Sequence, residues 1–115
     1  MGVIRVADRC PYPGGRYISD GPFSGEAFRD EILLPALLAS IATGQRLQVV
    51  LDGVPGYGSS FLEEAFGGLV RSGELGPNDV LSGLTVVAES PLFSTYKALA
   101  DRYIKDAIVH ARVAA

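Results

Sequence analysis

Apolar and polar positions divide the chain into short β-rich runs and longer stretches with helical spacing. Val3–Ala7, Leu47–Leu51 and Leu84–Ala88 are predicted to be strands, with Leu47–Leu51 at the centre of the sheet. The Pro/Gly-rich run Cys10–Gly15 predicts a turn, after which Arg16–Ile18 can form a further short strand. We expect this extra strand to pair with the first strand as a hairpin.

Helical spacing and capping residues predict the first two long helices. One begins at the N-cap Ser24 and ends at Gly44, and Pro35 is expected to kink or divide it because proline removes a backbone donor. The other begins at Ser60, and Glu63 lies at the spacing of a capping box, in which the two side chains satisfy each other's backbone N–H groups.

The remaining segments complete a predicted single α/β domain. Gly73–Asp79 is predicted to be a loop, and Ser90 followed by Pro91 opens a last helix of about 20 residues. Strands that alternate with helices predict crossover connections, so at least the last strands are parallel. We expect a mixed sheet of about four strands with three main helices, with an N-terminal strand and turn over 1–17 and a core over 18–110.

Composition excludes several classes of function. The chain has 115 residues, 48% of them hydrophobic, and a net charge of −3, which predicts one globular domain without a basic surface for nucleic acid. The strongly apolar stretch Ile32–Ala42 is shorter than the roughly 20 residues that cross a bilayer. The lone Cys10 cannot form an internal disulfide and no leader segment is recognisable, so we expect a cytoplasmic protein outside the membrane.

The residues that carry chemistry do not form a recognisable catalytic set. His110 and Cys10 stand near opposite ends of the chain, which predicts neither a metal site nor a nucleophile with its base. The loop Gly53–Gly58 lacks the lysine and spacing of a phosphate-binding P-loop, and Ser60 lacks the second glycine of a nucleophile elbow. We therefore expect no enzymatic activity and no cofactor.

The turn before the second long helix is the strongest candidate for binding. A helix start presents unpaired backbone N–H groups where negative charge is favourable. Capping explains Ser60, which leaves Ser59 the freer hydroxyl, and Tyr57 is a large amphipathic side chain of the kind that anchors interfaces. The helical pair Gly67 and Gly68 is costly and indicates close approach, either of a neighbouring element or of a partner.

Part of this region resembles a known fold. The matching residues are the strand Val49-Val50-Leu51-Asp52, and then Ser60-Phe61 followed by Glu64, Phe66 and Gly67. This arrangement resembles the core of the STAS fold, which is named for sulfate transporters and anti-sigma factor antagonists. The chain is most similar to the bacterial STAS-like domain family of uncharacterised function, and the specific motif covers only a short central stretch.

The resemblance implies a regulatory role. In anti-sigma factor antagonists, the serine at the corresponding helix start is phosphorylated by a partner kinase with a histidine-kinase-type ATPase fold, and phosphorylation abolishes docking. Applied to this chain, the resemblance implies that the residue that accepts the phosphate is Ser59 or Ser60. Antagonists usually carry an aspartate just before that serine, whereas this chain has Gly58.

These observations favour a non-enzymatic signalling domain that docks a protein partner, by resemblance a histidine-kinase-type ATPase or an anti-sigma-like regulator. The expected partner-binding residues are Gly56, Tyr57, Gly58, Ser59, Phe61 and Glu64. One alternative is a small-ligand or nucleotide-binding module that uses the same helix start. Another is a homodimeric structural subunit that packs through the last helix and the face of Gly67 and Gly68.

Overall fold

Three parallel strands form the sheet in a computed structural model that describes residues 2–114. They are β1 (Gly2–Arg5), β2 (Leu47–Val50) and β3 (Leu84–Val87), in the order β1-β2-β3. Both pairings are parallel, and the register aligns Ile4, Val49 and Val86 across the sheet. The predictions of a central β2 and of parallel last strands are therefore confirmed.

Five α-helices occur among the described residues. They are α1 (Val6–Arg9), α2 (Gly25–Phe28, π-helical Arg29–Leu33 and Leu34–Ala42), α3 (Ser59–Leu62, π-helical Glu63–Gly67 and Gly68–Arg71), α4 (Pro77–Gly83) and α5 (Ser94–Ala114). Two short 3₁₀ turns complete the description, Ile18–Asp20 and Pro91–Phe93.

The predicted strand at Arg16–Ile18 does not form, so the hairpin and the fourth strand were wrong. The carbonyl oxygens of Gly15 and Arg16 accept hydrogen bonds from the first turn of α2 instead. The carboxylate of Asp20 accepts the backbone N–H groups of the two residues before Ile18, which closes the 3₁₀ turn Ile18–Asp20. Local hydrogen bonds therefore hold this segment away from the sheet.

Helix α2 begins and ends as predicted. The Oγ of Ser24 accepts the N–H of Ala27 at 3.1 Å, and Gly44 adopts a φ of +70° directly after the last turn. Pro35 does not divide the helix, which continues to Ala42. The turns before Pro35 are π-helical, and this wider winding accommodates a residue that lacks a backbone donor.

Helix α4 was missed, because Gly73–Asp79 was predicted to be a loop throughout. Gly73, with a φ of +72°, does end α3, but Pro77 then occupies the first position of a new helix. Val80 and Gly83 of that helix are buried. A proline at a helix start was a usable signal, as it was at Pro91, which together with the Ser90 cap opens the turn before α5 as predicted.

The long helices pack together over one face of the sheet. Helix α3 contacts α2, as expected when successive parallel crossovers place their helices on the same side, and it also contacts α5, which follows β3. The aligned residues Ile4, Val49 and Val86 are buried, whereas Val3 on the opposite face is half exposed. Among residues 2–114, no helix is long and apolar enough to cross a membrane.

Candidate functional site

The candidate site lies at the edge of the sheet where the strands end. We call residues 53–60 the α3 turn, which connects β2 to α3. The carboxylate of Asp52, directly before it, accepts the backbone N–H groups of Glu89 and Ser90 at 2.8 Å each. The loops after β2 and β3 are therefore tied together at the carboxyl ends of the strands, where open α/β sheets bind their ligands.

Helix α3 starts at Ser59, one residue earlier than predicted. Gly58 is the N-cap residue, with extended backbone angles and no side-chain cap, and its carbonyl accepts the N–H of Leu62 at 3.2 Å. Gly58 and Ser59 are exposed, and Ser60 is half-buried. The N–H groups of the first three helical residues have no partner within the helix, so the turn presents the positive end of the helix dipole.

The predicted capping box between Ser60 and Glu63 was wrong. Ser60 lies inside the helix, not at its N-cap, and its side chain makes no capping hydrogen bond. Glu63 instead accepts from the guanidinium of Arg16 at 2.6 Å and from that of Arg71 at 3.0 Å. These charge-assisted bonds are stronger than a neutral cap and hold the pKa of the Glu63 carboxyl below its ordinary value, with Arg71 the main cause.

Tyr57 is a support beneath the turn and not an exposed anchor, which corrects the expectation from the sequence. Its side chain is buried, and its Oη donates to the carbonyl oxygen of Leu51 at 2.6 Å. Its ring lies 5.7 Å from that of Phe61 and 5.3 Å from that of Tyr96. Phe61 is also fully buried, so neither aromatic side chain is available to a partner in this conformation.

Glu64 was expected to face solvent or a partner, but the structure buries it in an ionic cluster. The charge cluster consists of Arg16, Arg29, Glu63, Glu64 and Arg71. Arg29 approaches Glu64 at 2.5 Å, and Arg16 approaches it at 3.2 Å. The side chains of both Arg29 and Glu64 are only 12% exposed. The cluster joins the N-terminal segment, α2 and α3.

The glycine pair in α3 makes room for the charge cluster. A Cβ atom on Gly67 would lie 2.6 Å from an Oε of Glu63, and one on Gly68 would overlap the guanidinium of Arg29. Gly25, at the start of α2, similarly allows its backbone to approach the carbonyl oxygen of Phe61. Packing of the charge cluster along α3 accounts for Gly67, and close packing between α2 and α3 accounts for Gly68 and Gly25.

The remaining reactive groups lie apart from the α3 turn. Cys10 is buried, its thiol contacts the carbonyl oxygen of Phe23 at 3.8 Å, and burial raises its pKa to about 11. His110 lies exposed near the end of α5. Within the described residues, no group of three or more His, Cys, Asp or Glu side chains could hold a metal ion.

Sequence reasoning missed the arginines of the charge cluster and the role of Asp52. Arg16 contacts carboxylates 47 and 48 positions away in the sequence, and no local pattern predicts such a contact. Asp52 did carry a signal, because a polar residue directly after a buried strand lies at the edge where loops meet. From the sequence, Asp52 was interpreted only as the last residue of the motif that resembles the STAS fold.

The family comparison agrees with this architecture. The family model described as a STAS-like domain of unknown function (DUF4325) matches residues 24–91, more than half of the chain. The match runs from the Ser24 cap to Pro91 and so contains β2, α3, β3 and the whole α3 turn. No curated protein and no solved structure matches the chain significantly. The chain therefore belongs to the family of STAS-like domains of unknown function.

Proposed function

We propose that this STAS-like domain is a non-catalytic regulatory module that docks a protein partner through the exposed part of the α3 turn. The observation that carries the proposal is the exposed Ser59 at an uncapped helix start. Its hydroxyl makes no hydrogen bond within the described residues, and the adjacent N–H groups lack helical partners. Gly58, directly before Ser59, is exposed and has no atom within 4 Å of the place where a Cβ atom would lie, so the backbone there is open to close approach.

Contacts beneath the α3 turn hold it in one conformation, which favours its recognition by a partner as a preformed surface. Tyr57 and Phe61 fix the turn from the core side, and Asp52 fixes its beginning to the loop after β3. A turn that is already ordered loses little conformational entropy when a partner binds. The direct contacts are accordingly assigned to Gly56, Gly58 and Ser59, with Ser60 at the rim.

The placement of reactive groups supports a role without catalysis. A nucleophilic cysteine needs an exposed thiol with a lowered pKa, whereas Cys10 is buried with a raised pKa. Glu63 and Glu64 are both paired with arginines of the same domain. These observations favour a protein-binding surface over a catalytic site.

Ser59 is the better of the two serines for regulation by phosphorylation. Phosphate adds about −1.5 to −2 charges, which a helix N-terminus tolerates. A phosphate on Ser60 would lie one helical turn from both Glu63 and Glu64, whereas Ser59 has only Glu63 at that spacing. We propose that a phosphate on Ser59 blocks docking, and that the kinase is an ATPase of the histidine-kinase type, as the resemblance implies.

Site-specific crosslinking in the native host tests the proposal. A photoreactive amino acid at position 59 is expected to capture one discrete protein. The same amino acid at Ala39, an exposed residue near the far end of α2, is expected to capture none. Titration calorimetry with the purified partner then measures Ser59→Asp, for which we expect affinity at least about tenfold lower.

Ala39→Asp is the matched control, because it adds the same charge at an exposed position and is expected to leave affinity unchanged. Absence of a discrete adduct at position 59, or equal affinity of Ser59→Asp and the unmodified chain, contradicts the proposal. Native mass spectrometry distinguishes the alternative, since a small anion or nucleotide retained at the turn and lost in Ser59→Asp indicates a ligand-binding module.

A further inference from the structure

A groove lies near the end of α3 that is opposite to the α3 turn, and we call it the end groove. Its volume is about 410 Å³, and its walls come from the last turn of α3, the loop between α3 and α4, and the end of α5. The side chains that border it are Val70, Leu75, Pro77, Ala111 and Arg112, together with two glycines of the loop. Small-molecule sites in proteins have volumes of about 300 to 1,000 Å³, so the end groove is large enough for a small ligand.

The walls of the end groove are apolar. Val70 is buried, whereas Leu75, Pro77 and Ala111 are half-buried and keep part of their apolar surface in contact with solvent. Leu75 and Ala111 pack against the core, which fixes their positions. Gly73 is exposed, and a Cβ atom on it would lie in open space, so the groove is accessible from the loop. A hydrophobic ligand that covers these side chains removes apolar surface from water.

Arg112 is the charged residue among those that line the end groove. Its guanidinium extends from α5 to the start of α4, where Nη2 donates to the Oδ1 of Asn78 at 3.2 Å. Because that oxygen faces Arg112, the amide nitrogen of Asn78 stays a hydrogen-bond donor on its other side. Unlike the three arginines of the charge cluster, Arg112 forms no ion pair with a carboxylate within residues 2–114. Its positive charge is therefore held beside the groove without an acidic partner.

The acidic residues of the neighbouring loop and of α4 do not line the end groove. Glu74 directly follows the lining residue Gly73, but its own side chain is not part of the lining. The carboxylate of Asp79 lies beside Gly76 at the start of α4 and does not pair with Arg112. A guanidinium presents parallel N–H groups that match the two oxygens of a carboxylate. The groove thus combines an apolar surface with a group that is complementary to an organic acid.

We infer that the end groove binds a small hydrophobic carboxylic acid, whose carboxylate pairs with Arg112 and whose apolar body lies against Val70, Leu75 and Ala111. At roughly 30 Å³ for each water-sized group, the groove holds about a dozen non-hydrogen atoms, which is the size of a medium-chain fatty acid or a bicyclic aromatic acid. The end of a protein chain is the less favourable occupant, because most of a peptide would lie outside a groove of this size. This site is separate from the α3 turn and does not depend on the docking proposed there.

Nuclear magnetic resonance titration of the whole chain with octanoate and with 2-naphthoate tests this inference. At least one of the two acids is expected to shift the amide signals of Val70, Gly73, Leu75 and Ala111 until they saturate. The signals of the α3 turn are expected to stay unchanged. If neither acid shifts the groove signals to saturation, or if the largest shifts lie elsewhere, the inference is overturned.

Removal of the charge at Arg112 distinguishes recognition of a carboxylate from general hydrophobic binding. Arg112→Gln is expected to weaken binding of octanoate at least about tenfold. Arg102→Gln changes an exposed position of the same helix that does not line the groove, and is expected to change binding less than about threefold. 1-Octanol has the same apolar chain without the charge, and its weaker binding is expected to be insensitive to Arg112→Gln. Equal octanoate affinity of Arg112→Gln and the unmodified chain, or an equal loss in both variants, overturns the inference.

Filling the groove provides a test that leaves the charge in place. Ala111→Leu adds apolar atoms at a half-buried lining position and is expected to weaken binding of octanoate at least about tenfold. Ala98→Leu makes the same change at an exposed position of α5 that does not line the groove, and is expected to leave binding unchanged. Circular dichroism establishes that both variants fold like the unmodified chain. Retained binding in a folded Ala111→Leu variant contradicts the assignment of the groove.

Two further measurements separate the end groove from a peptide site and from the α3 turn. A short peptide that ends in leucine with a free carboxylate is expected to bind more weakly than the better of the two acids. Tighter binding of that peptide assigns the groove to the end of a protein chain and overturns the inference. Ser59→Asp is expected to leave octanoate affinity unchanged, so that failure of docking at the α3 turn and failure of binding in the end groove are observed separately.

Discussion

Glu64 illustrates how the role of a single side chain depends on residues far away in the sequence. Its position on a polar side of α3 suggested a solvated or partner-facing charge, but Arg29 and Arg16 bind it within the domain. The exposed fraction of its side chain is only 12%. A carboxylate this well enclosed stabilises the arginines around it, and they in turn make its burial tolerable.

Glu64→Gln is expected to lower the free energy of unfolding by about 1–3 kcal/mol. The substitution preserves shape but removes the charge that compensates Arg29 in a poorly solvated position. Urea denaturation followed by circular dichroism measures the change.

Glu31→Gln is the matched control, because Glu31 is an exposed residue of α2 without an ion pair in the described part of the chain. We expect its effect to stay within about 0.5 kcal/mol. Similar losses in both variants would show that the charge cluster does not stabilise the fold.

At the scale of elements, the two helices that the charge cluster joins, α2 and α3, begin in different ways. The Oγ of Ser24 caps α2 by accepting the N–H of Ala27, and Ser24 is completely buried. Helix α3 has only Gly58 at its cap position, and Ser60 lies within its first turn. Both helices begin with a similar sequence pattern, in which a serine is followed by an acidic residue and an apolar stripe. The serine caps α2, whereas the N-terminus of α3 has no side-chain cap.

Ser24→Ala is expected to cost about 1 kcal/mol of stability because it removes a cap, whereas Ser60→Ala is expected to change stability by less than about 0.5 kcal/mol. Thermal and urea unfolding of the two variants provide the comparison. If Ser60→Ala costs as much as Ser24→Ala, the hydroxyl of Ser60 does cap α3 and the helix start described above is wrong.

At the scale of the whole molecule, one core joins the N-terminal residues to the long helices. Val6 and Cys10 are buried together with Phe28, Phe61 and Ala107, which come from three different helices. The thiol of Cys10 and the phenol of Tyr57 both lie in this core, and burial raises the pKa of each group. The folded state therefore favours the neutral form of both.

This burial predicts a loss of stability at alkaline pH. In the unfolded chain the Cys10 thiol ionises near pH 9, whereas in the folded chain its pKa is about 11. Its contribution to stability is thus complete below pH 9 and is lost as pH rises towards about 11, by about 1–2 kcal/mol. The raised pKa of Tyr57 acts in the same direction above pH 10.

Urea unfolding at pH 7, 9, 10 and 11 measures this dependence, with Cys10→Ser as the comparison. Serine does not titrate in this range, so the variant is expected to lose less stability between pH 9 and pH 10 than the unmodified chain. An equally steep loss in the variant would mean that the Cys10 thiol is as easily ionised in the folded chain as in the unfolded one.

Features that depend on neighbouring residues could be predicted from the chain alone. The apolar runs at Leu47–Leu51 and Leu84–Ala88 became strands, Ser24 and Ser90 became caps, and the central motif indicated the STAS-like family. Periodicity and capping act over one or two turns, so they can be inferred without knowing what packs where. The signal for the start of α4, a proline at its first position, is equally local, although a loop was predicted there.

Features that depend on how elements lie across one another required the tertiary structure. Tyr57 and Glu64 were both assigned to a partner, yet the first supports the turn from below and the second is enclosed by arginines. From the sequence alone, Arg16 could lie in a strand, face solvent or contact α3. Only the path of the chain over α2 places it beside Glu63. Contacts between residues almost 50 positions apart follow from packing, which sequence periodicity does not encode.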